Sequence, residues 1–288
     1  MKIGIAGIGK MGAGIAARLA GLGHEMMVWN RTADKARATG LKVAPTPADL
    51  AAACEMVISI LADAAAVNSV YAQMLPAMNG RLFIEMSTVR PEVAKKISSM
   101  VKGADAAFVE CPVGGTVGPA KEGKLFGLAG GEAADVARAR PLLEQMCRRV
   151  EHLGPVGAGA SMKLAINLPL IVYWQALGEA LSLVHHLKLD PARVMDILAD
   201  TSGAPTMLKN RAGAIAAALG GKDNPPSVTV DTLKKDLAEM VAEARACGYD
   251  TLVTQAALQS FERASQAGLG AKDCTMLPAN WANSGRRP

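Results

Sequence analysis

The sequence predicts an α/β domain built on a mainly parallel sheet, followed by an all-α domain that opens with one long helix. Three observations predict this. Short apolar runs alternate with Ala-rich amphipathic segments from Lys2 to about Val156, strand signals stop after Gly159, and only helical patterns remain from Ser161 onward. Such alternation is the sequence form of βαβ units. The pattern changes near residue 160, which gives domains of 1–160 and 161–288.

In order, "KIGIAGI", "EMMVWN", "MVISIL", "RLFIEMS", "AAFVECPV" and "LFGLAGG" read as strands. Runs such as "MVISIL" are apolar at nearly every position, as strands covered on both faces should be. Ser161 to Leu187 reads as one long helix, apolar nearly all round and therefore expected to be buried. Asp190 caps the next helix, with Pro191 in its first turn. "SVTVDTLKKDLAEMVAEARACG" and "TLVTQAALQSFERASQAG" follow as helices, each ending in Gly.

Composition narrows the function classes. Half of the 288 residues are hydrophobic and a fifth are charged, the balance of a soluble globular chain. The net charge of +5 is spread along the chain with no basic block, which argues against a nucleic-acid partner and suits anionic small molecules. The five cysteines form no CxxC pair, and the four histidines show no metal spacing, so no metal site is expected. The most apolar stretch, "LAINLPLIVYWQALGEALSLV", is interrupted by Asn167, Pro169, Gln175 and Glu179, which argues against a membrane span. The amino terminus lacks a signal peptide's apolar core, so the expected compartment is the cytoplasm.

"GIAGIGKMGAGIAARL" sets Gly7, Gly9 and Gly12 in GxGxxG spacing, between a predicted strand and a predicted helix. That context makes the domain Rossmann-type. Gly7 permits the tight turn, Gly9 lets the backbone approach a pyrophosphate, and Gly12 lets helix and strand pack closely. Lys10 and Met11 lie between them, where the helix start offers N–H groups to phosphates. An acidic residue that grips the ribose hydroxyls normally ends the second strand. Here that strand ends in Asn30, Arg31 and Thr32. The three suit an added 2′-phosphate, so the expected cofactor is NADP (NADPH) rather than NAD. Ser87 and Thr88 end another strand where loops of open α/β sheets meet their ligand; they can touch the nicotinamide end or substrate, or cap an ordinary turn.

Taken together, "GIGKMG", "EMSTVRP", "ECPVGGTVGPAKEGKL", "GAGASMKLAIN" and "KKDL" resemble the β-hydroxyacid dehydrogenases over nearly the whole chain. That family includes 3-hydroxyisobutyrate dehydrogenase, tartronate semialdehyde reductase and the glyoxylate/succinic semialdehyde reductases. The resemblance implies an NADP-dependent oxidoreductase that reduces a small aldehyde or keto acid, or oxidises the matching hydroxy acid. Lys163 and Asn167 stand four residues apart on one helix face. The resemblance makes Lys163 the catalytic acid/base and sets Asn167 to orient the substrate. Burial that lowers a lysine from about 10.4 towards neutrality would suit that role.

The same resemblance places Leu61, Ala62 and Val67 near the nicotinamide ribose and ring, and Lys235 near cofactor or substrate, with Asp236 beside it. Val113, Gly114, Gly115 and Thr116 would bind substrate, their consecutive amides forming a pocket for a carboxylate. The family usually carries a serine where this chain has Gly114, which enlarges the pocket or changes what it binds. The family also assembles as dimers and tetramers through its helical half, so a homo-oligomer is expected.

Other readings remain open. Imine reductases share the fold and an Asn-Arg-Thr loop but commonly lack the lysine. Phosphogluconate dehydrogenases need a larger helical domain than residues 161–288 provide. A cofactor-binding reader or regulator without turnover would need neither Lys163 with Asn167 nor the glycine pocket.

Overall fold

The structure is a computed structural model and describes residues 1–284. Clustering in space divides the chain into two compact units, Met1–Leu164 and the residues from Ala165 onward.

The first unit follows the order β1 (Lys2–Ala6), α1 (Lys10–Gly21), β2 (Glu25–Trp29), α2 (Ala33–Arg37), β3 (Lys42–Val43), α3 (Pro47–Ala53), β4 (Met56–Ser59), α4 (Ala64–Met74), β5 (Leu82–Glu85), α5 (Pro91–Gly103) and β6 (Ala107–Glu110). These six strands form one sheet, all parallel, in the order β3-β2-β1-β4-β5-β6. The reversal between β1 and β4 makes the crevice outside their carboxyl ends the natural ligand position. Then come β7 (Val113–Gly114), α6 (Val117–Glu122), β8 (Leu125–Ala129), α7 (Ala133–Met146) and β9 (Cys147–His152). β7, β8 and β9 make a second small sheet, antiparallel between β7 and β8 and parallel between β8 and β9.

Alternation along the buried strands explains their composition. Ile3, Ile5, Ile58, Leu82, Ile84 and Val109 face one core, with Ile15 and Leu19 of α1 and Leu142, Leu143 and Met146 of α7. Val57, Phe83 and Phe108 face the other, with Leu50 of α3, Tyr71 and Met74 of α4, and Ile97 and Val101 of α5. Both faces are covered, so both sets are apolar. Tyr71 lies 5.9 Å and 6.3 Å, ring centre to ring centre, from Phe83 and Phe108.

The long helix α8 (Ala158–Val184) starts in the first unit and continues into the second. In the second unit follow α9 (Pro191–Ala199), α10 (Thr206–Leu219), α11 (Val230–Ala246), α12 (Leu252–Ala264) and α13 (Met276–Ser284). The Asp190 carboxylate accepts from the Arg193 amide, the cap expected from sequence. The segment joining α12 to α13 is held by Asp273, which is fully buried. Its carboxylate accepts from the amides and hydroxyls of Ser227 and Thr275 and from Arg211.

One expectation is corrected. The long helix is not buried all round. Ile171, Trp174, Leu177 and Leu181 are enclosed, whereas Met162, Ile166, Leu170 and Leu183 are 42%, 40%, 36% and 76% exposed. An all-apolar helix reads as buried on every side, but this single chain covers only part of its circumference.

Candidate active site

The glycine turn is built as its spacing demands. Gly7 has φ +101°, and a methyl group there would overlap the Ile60 carbonyl oxygen at the end of β4. A methyl group on Gly12 would overlap the Gly7 carbonyl oxygen, so helix and turn touch backbone to backbone. Above Gly9 the space is open. Gly9 is also the N-cap of α1, and no side chain caps that helix start. An open glycine beside an uncapped helix start fits a pyrophosphate. Lys10 is exposed and Met11 half-buried in the first turn.

Asn30 serves a purpose that sequence reading did not find. Its Oδ1 accepts from the Ile8 amide at 2.9 Å, and its Nδ2 donates to the Thr32 carbonyl at 2.9 Å. The side chain therefore laces the β2 loop to the glycine turn, leaving one Nδ2 hydrogen for a ligand. Arg31 and Thr32 beside it are exposed.

The loops after β4 and β5 are likewise tied together. The Leu61 amide donates to Ser87 Oγ at 2.8 Å, and the Ser87 amide donates to Glu85 Oε1 at 2.6 Å. Ser59 Oγ donates to Glu85 Oε2 at 2.5 Å and shares a hydrogen bond with the Tyr71 hydroxyl at 2.8 Å, and that hydroxyl also bonds the Glu85 carboxyl. Glu85 and Ser59 are enclosed at the carboxyl ends of β5 and β4. Burial raises the Glu85 carboxyl, only partly offset by hydrogen bonds from Ser59 and Ser87. Burial, and then the Glu85 charge, push Tyr71 well above its ordinary value. Ala62 is exposed and Thr88 half-buried, whereas Val67 is wholly enclosed in the core. The Val67 side chain supports the loop from below rather than lining its surface.

Glu110 is another buried carboxyl group, paired in register with Glu85 on the neighbouring strand. Its Oε1 accepts from the amides of Gly157 at 2.6 Å and Gly159 at 2.9 Å, where α8 begins. Oε2 is buried and makes no hydrogen bond among the described residues. Burial raises this carboxyl, against the lowering pull of the Gly157, Gly159 and Ala160 amides and of Lys95. Sequence reasoning missed Glu85 and Glu110. The available signal was an acid ending each of two apolar strands, "LFIE" and "AFVE".

The glycine-rich segment after β6 divides. Val113 and Gly114 pair with Gly127 and Phe126 in the small sheet, while Gly115 and Thr116 stand exposed before α6. A side-chain carbon at Gly114 would lie 3.7 Å from Phe126 Cβ, an ordinary contact, so packing does not require glycine there.

Lys163 is 8% exposed, one turn before half-buried Asn167 on α8. In the second unit α11 carries Lys235 and Asp236. Lys235 Nζ lies 2.7 Å from Asp236 Oδ1, close enough for charge attraction, although that buried oxygen has no aligned hydrogen-bond donor. Among the described residues no group of three His, Cys, Asp or Glu could hold a metal ion.

Two family models cover most of the chain. The NAD-binding domain of 6-phosphogluconate dehydrogenase matches residues 2–154, and the NAD-binding domain of NADP-dependent 3-hydroxyisobutyrate dehydrogenase matches 157–279. Glyoxylate/succinic semialdehyde reductase 1 of Arabidopsis thaliana is 30% identical over 280 residues, 95% of this chain and 96% of that protein. The 3-hydroxyisobutyrate dehydrogenase of Pseudomonas aeruginosa is 32% identical over 276 residues, 92% of each chain. Among solved structures, Mycobacterium tuberculosis 3-hydroxyisobutyrate dehydrogenase with L-serine superposes with a TM-score of 0.83 at 25% identity, covering 97% of this chain and 98% of that one.

Proposed function

The chain belongs to the β-hydroxyacid dehydrogenase family, and on that premise we propose that it is an NADP-dependent oxidoreductase acting on a small aldehyde or keto acid, or on the matching hydroxy acid. The observation that carries this reading is a buried lysine, Lys163, one helical turn before Asn167. A lysine held out of water is rarely a solubility feature. When bound, the nicotinamide cofactor supplies or accepts the hydride.

The chain's residues do the rest. Gly7, Gly9 and Gly12, with the start of α1, hold the pyrophosphate. Arg31, Thr32 and the spare Nδ2 hydrogen of Asn30 hold the extra phosphate of NADP. Leu61 and Ser87 bound the nicotinamide end. Gly115 and Thr116 take a substrate carboxylate on their amides. Lys163 Nζ gives a proton to the substrate oxygen as the carbonyl becomes a hydroxyl, and takes it back in the reverse direction. The Asn167 amide holds that oxygen in line. The exposed apolar residues of α8 are read as the surface on which a second copy docks, since apolar patches of this kind mark interaction sites.

The test is spectrophotometric: NADPH oxidation with glyoxylate, succinic semialdehyde and other short aldehydes. Lys163→Ala should lower kcat by about 10²- to 10⁴-fold, the usual contribution of a positioned proton donor. Its NADPH affinity should stay within about twofold of the parent. Full activity in that variant would remove the mechanism. Tight NADPH binding with no oxidation of any substrate would favour a reader without turnover.

A further inference from the structure

The glycines of "GAGASMK" are not used by any cofactor or substrate contact proposed above, yet the first unit is built around them. Gly157 has φ +105°, and a methyl group there would come within 2.7 Å of the Lys95 side chain. A methyl group on Gly159 would overlap the Leu128 carbonyl oxygen, and one on Gly130 would overlap Glu110 Oε1. These bare backbones let the first turn of α8 come down onto the ends of β6 and β8. The Glu110 carboxylate, 1% exposed, fills the join. It reaches from the last residue of β6 and accepts from the Gly157 and Gly159 amides. A helix start normally takes such bonds from a neighbouring N-cap side chain. Here they come from a residue 47 positions earlier in the chain.

We propose that Glu110 is a positioning residue of the reaction: it pins the first turn of α8 and so fixes where Lys163 stands. The proposal rests on the reading of Lys163 as proton donor. Gly159 and Lys163 are one turn apart, about 6 Å along the axis. A helix is stiff over that length, so a shift at Gly159 reaches Lys163 almost undiminished. A displacement of about 1 Å in a catalytic group can cost up to about a hundredfold in rate. What matters in this scheme is the reach of the Glu110 side chain, not its charge. Among the described residues Oε2 makes no aligned hydrogen bond, so replacing it with an amide nitrogen leaves the Gly157 and Gly159 bonds to Oε1 in place. Shortening the side chain by one methylene withdraws Oε1 from the two amides.

The experiment compares Glu110→Gln, Glu110→Asp and Glu110→Ala in the full chain. The readouts are kcat and KM for NADPH and the aldehyde reduced fastest, melting temperature, and hydrogen exchange of the amides of residues 157–163. The Asp and Ala variants should lose about tenfold or more in kcat while KM for NADPH stays within about threefold. Their 157–163 amides should exchange faster. The Gln variant should keep kcat within about threefold and exchange like the parent. Full kcat in Glu110→Asp, a loss in Gln equal to that in Ala, or unchanged exchange in Asp would each overturn the proposal. An inactive Lys163→Ala beside a fully active Glu110→Asp would sink this inference alone. An active Lys163→Ala beside faster exchange in Glu110→Asp would sink the proton-donor role and leave the helix pin standing.

Discussion

Asn30 and Arg31 are adjacent, but only Asn30 is bonded to the glycine turn, so cofactor affinity can separate that brace from the phosphate contact proposed for Arg31. Asn30 holds the Ile8 amide, and Ile8 lies within the glycine turn that any dinucleotide would use. Ile8 is 3% exposed, so Asn30→Ala leaves its amide buried without that acceptor, at a cost of about 1–3 kcal/mol. It also frees the Thr32 carbonyl from Nδ2. The turn relaxes to relieve this cost, so affinity for NADH should fall by roughly tenfold and affinity for NADPH by at least as much, since NADPH also loses the Nδ2 contact. Arg31 is exposed. Arg31→Leu should remove a charge-assisted contact worth about 1.5–3 kcal/mol from NADPH alone, or about ten- to hundredfold. Fluorescence titration of each variant with both cofactors gives the four ratios needed. If Arg31→Leu leaves the NADPH-to-NADH ratio unchanged, or Asn30→Ala weakens NADPH only, the separation of roles is wrong. Asn30→Asp with Arg31→Leu should go further and reverse the preference; NADPH selectivity surviving that pair would place its source outside this loop.

Two more outcomes follow from other parts of the chain. Burial opposes ionisation of Asp273, but the amides and hydroxyls of Thr275 and Ser227 outweigh it and hold the carboxyl at about 2. Its folded value lies below its unfolded value of 3.8, so the stabilisation is complete above about pH 4 and is lost as the pH falls towards 2. The stability difference between the parent and Asp273→Asn in urea unfolding should shrink by up to about 2 kcal/mol over that window; a difference independent of pH would count against the assignment. The exposed Met162, Ile166, Leu170 and Leu183 predict self-association, so light scattering should give at least twice the 29.8 kDa chain mass. A Leu183→Glu variant should shift that towards monomer, and a monomeric parent would refute the reading.

The parts legible in sequence were those set by local periodicity. The six apolar runs became strands because burial on both sheet faces leaves little room for polar residues, and Asp190 capped its helix as its type suggests. β3 escaped because it has only two residues. β9, "CRRVEH", escaped because it is an edge strand whose charged residues face water and mask the pattern. The site divided in the same way. The glycine turn depends on neighbouring residues and could be read. The partners of Glu85 and Glu110 come from other strands and from the start of α8, up to 49 positions away, and no spacing rule connects them. The bond between Asn30 and the Ile8 amide was not legible, because Ile8 approaches Asn30 only through the fold.

The chain of hydroxyls from Tyr71 through Ser59 to Glu85 bears on how this protein can change over time. Each of the three hydrogen-bonds the other two, so the side chains are not independent choices. Serine to alanine at position 59 would remove one partner from both the phenol and the carboxyl, leaving Tyr71 and Glu85 bonded to each other and Glu85 to the Ser87 amide. Phenylalanine at 71 would likewise remove one partner from both Ser59 and Glu85. Substitutions here should therefore show strong non-additivity. In descent these three positions would pass as a linked set, retained together or exchanged together for an apolar one.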